Sequence, residues 1–307
     1  MRISVIIPTY NRARLVQETI ASLLSQTRKP DEIIVLDYGS TDYTPAILQQ
    51  YSEPVRVFSQ SNQGRSNARN RGLQAAEGDL ITFLDSDDTL PPTSIEKREA
   101  YLVSHPEMHA VYCDVAYQND DQELGRFSAI RPGPRPSGTI FAELARHNMV
   151  GPPAAVLFRA ACTHAFRPEH EPVEDYDLWL RMATQCAFGY LGEPLVTYRV
   201  HADMSTLSES QAMQEAIMRI HNQTVQRPAF TALSPKQKAR ILCSHGILFA
   251  EYGHMEPARH RFRTAIETAP FYPGGSLLFA AGLLGRSLFL RMIRARRSLR
   301  GDVSWAS

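Results

Sequence analysis

Up to about Val200, short apolar runs alternate with stretches whose apolar residues recur at helical spacing. The runs are Ile3 to Ile7, Glu32 to Leu36, Val55 to Phe58, Leu80 to Leu84 and Ala110 to Cys113, each of strand length and rich in Ile, Val, Leu or Phe. Between them, Leu15, Thr19, Ile20, Leu23 and Leu24 mark one helix face, and another helix follows the glycine turn at Gly64 and extends to Ala76. This alternation predicts an α/β domain, a mostly parallel sheet with helices over its faces. Most of the runs end in polar residues. Ligands of open α/β sheets bind beyond the carboxyl ends of the strands, so Thr9-Tyr10-Asn11, Asp37 and Asp85-Ser86-Asp87 are expected to converge on one crevice.

The Pro/Gly-rich stretch from Arg131 to Gly138 interrupts the pattern and reads as a loop, because proline removes backbone donors and fixes φ. Strand signals stop near Ser205, which divides the chain into an α/β domain, 1–204, and a helical C-terminal region, 205–307. Within the latter, Ala250, Gly253, Ala258, Phe262, Ala265 and Pro270 are spaced like one tetratricopeptide-type helix pair. A single pair needs neighbours for stability, so it is expected to pack against the α/β domain. From Ser276 a short apolar run joins Arg286, Arg291, Arg294, Arg296, Arg297 and Arg300, with Asp302 alone opposing them. The run is too short and too interrupted to span a bilayer. Two readings stay open for it, a peripheral contact with an anionic membrane surface and a terminal helix docked with its basic face in water.

Composition narrows the function more than it defines it. With 307 residues, 43% hydrophobic content and a formal charge of +1, the chain has ordinary globular make-up and lacks the broad positive field of a nucleic-acid binder. Cys113, Cys162, Cys186 and Cys243 form no CxxC pair and no dense framework, which suggests free thiols and a reducing cytoplasm. The N-terminus reads directly into a strand, so no secretion signal is expected.

The densest chemistry is Phe83-Leu84-Asp85-Ser86-Asp87-Asp88, where a buried strand delivers three carboxylates to its exposed end. Such crowding is unfavourable unless a cation offsets it, and Mg2+ is commonly held by one or two carboxylates together with substrate phosphates. A solvated acidic turn before the helix that starts near Ser94 is the plainer alternative. Glu174-Asp175 sits at the start of a helical segment, which fits dipole compensation as well as chemistry. Arg199 and His201 follow a strand-like run from Leu195 to Tyr198.

Six ordered motifs turn these fragments into a pattern: Ser4-Val5-Ile6-Ile7-Pro8-Thr9-Tyr10-Asn11-Arg12, Leu36-Asp37-Tyr38-Gly39-Ser40-Thr41-Asp42, Asn62-Gln63-Gly64 leading to Ala68-Arg69-Asn70-Arg71-Gly72, Leu84-Asp85-Ser86-Asp87-Asp88, Glu174-Asp175-Tyr176-Asp177-Leu178-Trp179, and Tyr198-Arg199-Val200-His201. Together they resemble family 2 glycosyltransferases of the GT-A fold, over residues 1 to about 206. The resemblance implies a Rossmann-like, mostly parallel sheet flanked by helices, and an inverting transfer of sugar from a nucleotide diphosphate donor to a hydroxyl acceptor. It implies Pro8, Thr9 and Tyr10 beside the base, Asp37 in the nucleotide loop, and Arg69 and Asp85 near the nucleotide. Asp87 corresponds to the ligand of Mn2+ or Mg2+, and His201 and Arg199 to groups near metal or diphosphate. Asp175 corresponds to the general base, with Glu174 beside it. Relatives commonly place two consecutive acids where this chain has Asp37-Tyr38, so the usual uracil preference is in doubt and the Tyr38 ring is free to stack on a base. Gly151-Pro152-Pro153 is similar to a segment near sugar and acceptor.

By association, the acceptor is expected to be a glycan or a lipid-linked or other hydroxyl compound of the bacterial cell surface, reached in the cytoplasm at the inner membrane face. A nucleotidyltransferase would open on a glycine-rich phosphate loop, and the first strand here meets no glycine until Gly39. A non-catalytic scaffold would have no reason to keep both Asp87 and Asp175.

Overall fold

The computed structural model describes residues 1–119, 122–201, 210–283 and 285–298. The expected domain boundary at 204/205, and Arg300 and Asp302 in the tail, lie outside the described residues. Eight strands form one mixed sheet: β1 (Ile3–Thr9), β2 (Glu32–Asp37), β3 (Val55–Ser59), β4 (Leu80–Phe83), β5 (Ala110–Asn119), β6 (Gln122–Arg126), β7 (Val156–Arg159) and β8 (Phe188–Arg199). They are ordered β3-β2-β1-β4-β7-β5-β6, with β8 also paired to β5. The ladders joining β1 to β2, β1 to β4, β2 to β3 and β5 to β8 are parallel. β7 runs antiparallel to both β4 and β5, and β6 antiparallel to β5. Every residue of β1 and β2 is buried, which explains their unbroken apolar runs, whereas the edge strand β3 alternates.

Helices α1 (Ala13–Leu24), α2 (Thr44–Leu48), α3 (Arg65–Ala75) and α4 (Ser94–Ser104) connect the parallel strands, and α5 (Phe127–Ile130), α6 (Phe141–Leu144) and α7 (Glu174–Met182) follow. α1 buries Thr19, Ile20 and Leu23 of the expected face together with Val16, while Leu15 and Leu24 are only partly buried. α3 has almost no apolar face and approaches the sheet through glycine instead. A methyl group on Gly72 would overlap Ile6 Cγ2 and lie 3.0 Å from Leu36 Cδ2. Gly72→Ala is therefore expected to cost about 1–3 kcal/mol despite alanine's better helix propensity. Urea denaturation of the variant measures this, and a neutral result would mean that α3 slides freely on the sheet.

The C-terminal helices are α8 (Ser210–Thr224), α9 (Pro228–Thr231), α10 (Pro235–Glu251), α11 (Met255–Thr268), α12 (Pro273–Leu283) and α13 (Arg286–Ser298). α10 starts with a capping box in which the Ser234 hydroxyl accepts from Gln237 N and the Gln237 side chain accepts from Ser234 N. α10 and α11 form the helix pair foreshadowed by small residues: Gly253 turns the chain with φ of 98°, and Ala250, Ala258, Phe262 and Ala265 are buried. One apolar cluster runs from Ile6 and Phe83 in the sheet through Trp179 to Phe262 and Phe289, so these helices share the core of the sheet. Polar ties reinforce it. His245 Nε2 lies 2.7 Å from the Ala145 carbonyl, and Arg227 donates to the fully buried Asp177 at 2.8 Å. Arg181 donates to the same carboxylate at 2.8 Å.

Cys162 and Cys186 are joined in a disulfide, with Cα atoms 6.5 Å apart, which corrects the expectation of four free thiols. Their separation of 24 residues carries no pairing signal, and it is the return of the chain from β7 to β8 that brings them together. Cys113 and Cys243 are buried free thiols, and burial pushes the Cys113 thiol up to about 11.

Candidate active site

The loops after β1 and β2 are clasped to each other. Asn11 takes φ of 51°, a conformation Asn tolerates, and its Oδ1 accepts the Thr41 N–H at 2.8 Å while its own N–H reaches Ser40 Oγ at 2.9 Å. Asp37, at the end of β2, accepts the Ser40 N–H at 2.9 Å. Pro8 and Thr9 are buried within β1, so Tyr10 is the residue of that trio that shows itself at the crevice. Its ring stacks on Tyr38, with centroids 5.4 Å apart and planes 21° from parallel.

The three carboxylates after β4 take different positions. Asp88 turns inward and is 1% exposed; its Oδ1 accepts the Arg199 N–H at 3.0 Å and its carbonyl accepts the Thr19 hydroxyl at 2.8 Å. Burial, reinforced by the charges of Asp87 and Asp85, holds the Asp88 carboxyl well above the usual carboxylate range. Asp87 is a quarter exposed, and its Oδ2 lies 3.1 Å from His201 Nε2 and 3.8 Å from Arg12 Nε. Asp85 is held by Arg69, whose NH2 donates at 2.6 Å.

Arg69 is the hub of the site. It is 3% exposed, joins Asp85 to Glu174 Oε1 (2.5 Å from NH1), and stands over the Phe166 ring at 5.2 Å. Arg65, one turn earlier on the same face of α3, brings Nε to 3.0 Å from the same Glu174 oxygen. Burial alone would depress the Arg69 guanidinium, but Asp85 and Glu174 more than reverse this and raise it. Next to this cluster, the Asp175 carboxyl is pushed up to about 7, first by burial and then by the charge of Glu174, while the Tyr176 N–H on Oδ1 at 2.7 Å pulls the other way. The Arg199 guanidinium pairs with Glu18 of α1 at 2.6 Å. Trp179 is fully buried and donates from Nε1 to the Gly151 carbonyl at 3.3 Å, tying the α7 helix to the Gly151-Pro152-Pro153 turn.

Two participants escaped the sequence reading. Arg65 looked like one of several helix arginines, and its spacing of four from Arg69 was the available signal. Glu171 accepts the Ser66 N–H at 2.8 Å and so caps α3, which has no capping side chain of its own. Among the described residues, no three His, Cys, Asp or Glu side chains converge as a metal cage. Asp87 and His201 nevertheless present one carboxylate and one imidazole donor side by side, a set that fits a divalent ion whose remaining positions come from substrate oxygens and water.

Comparison with known proteins agrees with this arrangement. Residues 4–164 match the model of Glycosyl transferase family 2, more than half of the chain, and the chain belongs to that family. It is 26% identical over 237 residues to an uncharacterized glycosyltransferase of Rickettsia bellii, covering 76% of this chain and 34% of that one. The chain thus spans about a third of that relative's length. TuaG of Bacillus subtilis, whose working name places it in teichuronic acid biosynthesis, is 28% identical over 206 residues, 64% of this chain and 79% of that one. In fold, the chain resembles residues 1–349 of Staphylococcus aureus TarS in complex with UDP-GlcNAc, with a TM-score of 0.67, 18% identity, and coverage of 100% of this chain and 93% of that one. A mannosyltransferase of Pyrobaculum calidifontis in complex with GDP-Man and Mn2+ gives a TM-score of 0.59 at 17% identity, covering 98% and 88%. The sheet with its flanking helices is GT-A-like, as expected.

Proposed function

We propose that the chain transfers a sugar from a nucleotide diphosphate donor to an acceptor hydroxyl with inversion at the anomeric carbon. The observation that carries this is the Asp175 carboxyl, tuned to about 7 at the rim of the Arg69 cluster. A base with that pKa is about half ionised at pH 7 and strong enough to take a proton. Asp175 accepts the acceptor hydroxyl's proton as that oxygen bonds to the anomeric carbon. The bond from that carbon to the diphosphate oxygen breaks on the opposite face, and its electron pair leaves with the nucleoside diphosphate. Arg69 holds Glu174 and Asp85 in place, so that the Glu174 carboxylate stays fixed beside the proposed base.

Asp87 and His201 are the residues that would hold Mn2+ or Mg2+, which supplies positive charge to the diphosphate oxygens when bound. The two solved relatives bind UDP-GlcNAc and GDP-Man, and in this chain Tyr10 and Tyr38 form the aromatic platform proposed to meet the base. The acceptor we propose is a cell-surface glycan or lipid-linked hydroxyl compound, a reading that the name of the Bacillus relative supports. The reaction is then cytoplasmic, close to the inner face of the membrane.

A thermal-shift panel of UDP, GDP, dTDP and CDP with and without Mn2+ tests the donor site. One nucleotide is expected to stabilise the protein in the presence of Mn2+, by about 2.7 kcal/mol at about 100 times its Kd. Asp87→Ala is expected to abolish the Mn2+-dependent part. A shift that survives in Asp87→Ala would remove Asp87 from the site.

A further inference from the structure

The C-terminal helices bear a surface that the transfer chemistry leaves unused. Between Glu267 and Asp302 the sequence has six arginines and no acidic residue. Arg286, Arg291 and Arg294 are exposed. In the same span five large apolar side chains stand out of the protein: Phe271 is 100% exposed, Leu277 68%, Leu283 60%, Leu288 45% and Met292 46%. They are five of the nine exposed large hydrophobics among the described residues. A helix that merely docks on the core should bury its apolar stripe and show polar residues to water. α13 does bury Phe289 and Ile293, with the Phe289 ring 5.7 Å from Phe262. Yet it also exposes Leu288, Arg291, Met292 and Ala295, which recur at i, i+3, i+4 and i+7 and form a second, outward stripe.

A groove of about 420 Å³ lies between α11 and α12 of the same helical region. Arg259, His260 and Arg263 line it with Phe279 and Leu283, Glu256 being its one carboxylate. The Arg263 guanidinium lies over the Phe279 ring at 5.6 Å. Leu283 lines the groove and is itself 60% exposed.

We propose that this face docks on an anionic phospholipid bilayer, with the outward stripe entering the headgroup boundary and the groove receiving a lipid phosphate. Apolar side chains flanked by an excess of arginine are the chemistry of interfacial binding to anionic lipid. A second copy of the chain on the same face would set arginines against arginines about a two-fold axis. No described helix is long and apolar enough to cross the bilayer, so the contact is peripheral. The proposal stands independently of the transfer mechanism, since its readout needs no turnover.

The test is sedimentation of the full chain with phosphatidylcholine vesicles, with and without phosphatidylglycerol. Binding is expected to the anionic vesicles, roughly tenfold weaker to the neutral ones, and weaker as salt rises. Leu288→Gln with Met292→Gln is expected to lower binding roughly tenfold or more while leaving the melting temperature and nucleotide shift unchanged. Arg259→Gln with Arg263→Gln is expected to remove the preference for phosphatidylglycerol. Absence of binding to anionic vesicles, or equal binding by the Leu288/Met292 variant, overturns the proposal. So does a lipid-free dimer that the same variant converts to monomer without any vesicle binding, which would assign the face to a second copy.

Discussion

Asp175→Asn is expected to lower transfer by roughly 100- to 10,000-fold while leaving donor binding intact, because it removes a proton acceptor that acts only as the acceptor oxygen attacks. The wild-type pH profile provides an independent check. Burial and Glu174 raise the Asp175 carboxyl to about 7. If the ionised form acts as the proposed base, kcat/KM should climb about tenfold per pH unit below that value and level off above it. In Asp175→Asn this acid limb should vanish. Single-turnover rates from pH 5 to 9 measure both features. An unchanged rate in the variant would assign the proton to another group.

Arg69→Leu is expected to cost about 3–5 kcal/mol, since it strands the Asp85 carboxylate and leaves the nearly fully buried Glu174 to Arg65. Arg69→Lys keeps the charge but cannot hold two carboxylates in the fixed geometry of a guanidinium fork, so it should recover only part of the loss. A purely structural arginine would stop at that. Arg69 also helps to keep the Asp175 carboxyl from rising further. In Arg69→Leu the acid limb of the activity profile should therefore move to higher pH, and denaturation curves read beside pH profiles separate the two effects. A stability loss with an unmoved limb would confine Arg69 to holding the fold.

The parallel half of the sheet was legible because its strands are buried on both faces and leave unbroken apolar runs, as in Ile3 to Ile7 and Glu32 to Leu36. β6 was not: Gln122–Arg126 is mostly polar, with its residues exposed or only partly buried, and it pairs antiparallel with β5. Nor did the sequence foretell that β7 reverses direction between β4 and β5, because a buried run of Val156 to Phe158 reads the same either way. Motifs placed Asp85, Asp87 and Glu174 near one another, but their division of labour depends on side-chain direction. Asp88 turns into the core, and the Arg199 guanidinium reaches back to Glu18, a partner 181 positions away that no local pattern could announce. The disulfide has the same character, since two cysteines without a motif pair only when the fold makes them neighbours.

Asp177 lies two residues past the proposed base, and two arginines hold it, Arg181 from α7 itself and Arg227 from the C-terminal region, all of them beyond the matched residues 4–164. Behind it, Tyr176 donates to the Leu144 carbonyl at 2.9 Å with His221 3.3 Å from its hydroxyl. The α7 helix that carries Asp175 is thus braced from the rear by residues of the C-terminal region. Anyone recombining enzymes of this kind to change what they glycosylate meets this as an engineering rule. A graft joined at residue 164 would part the sheet from α7 and the helices behind it, so the cassette that travels intact is the sheet together with α7 and its bracing helices.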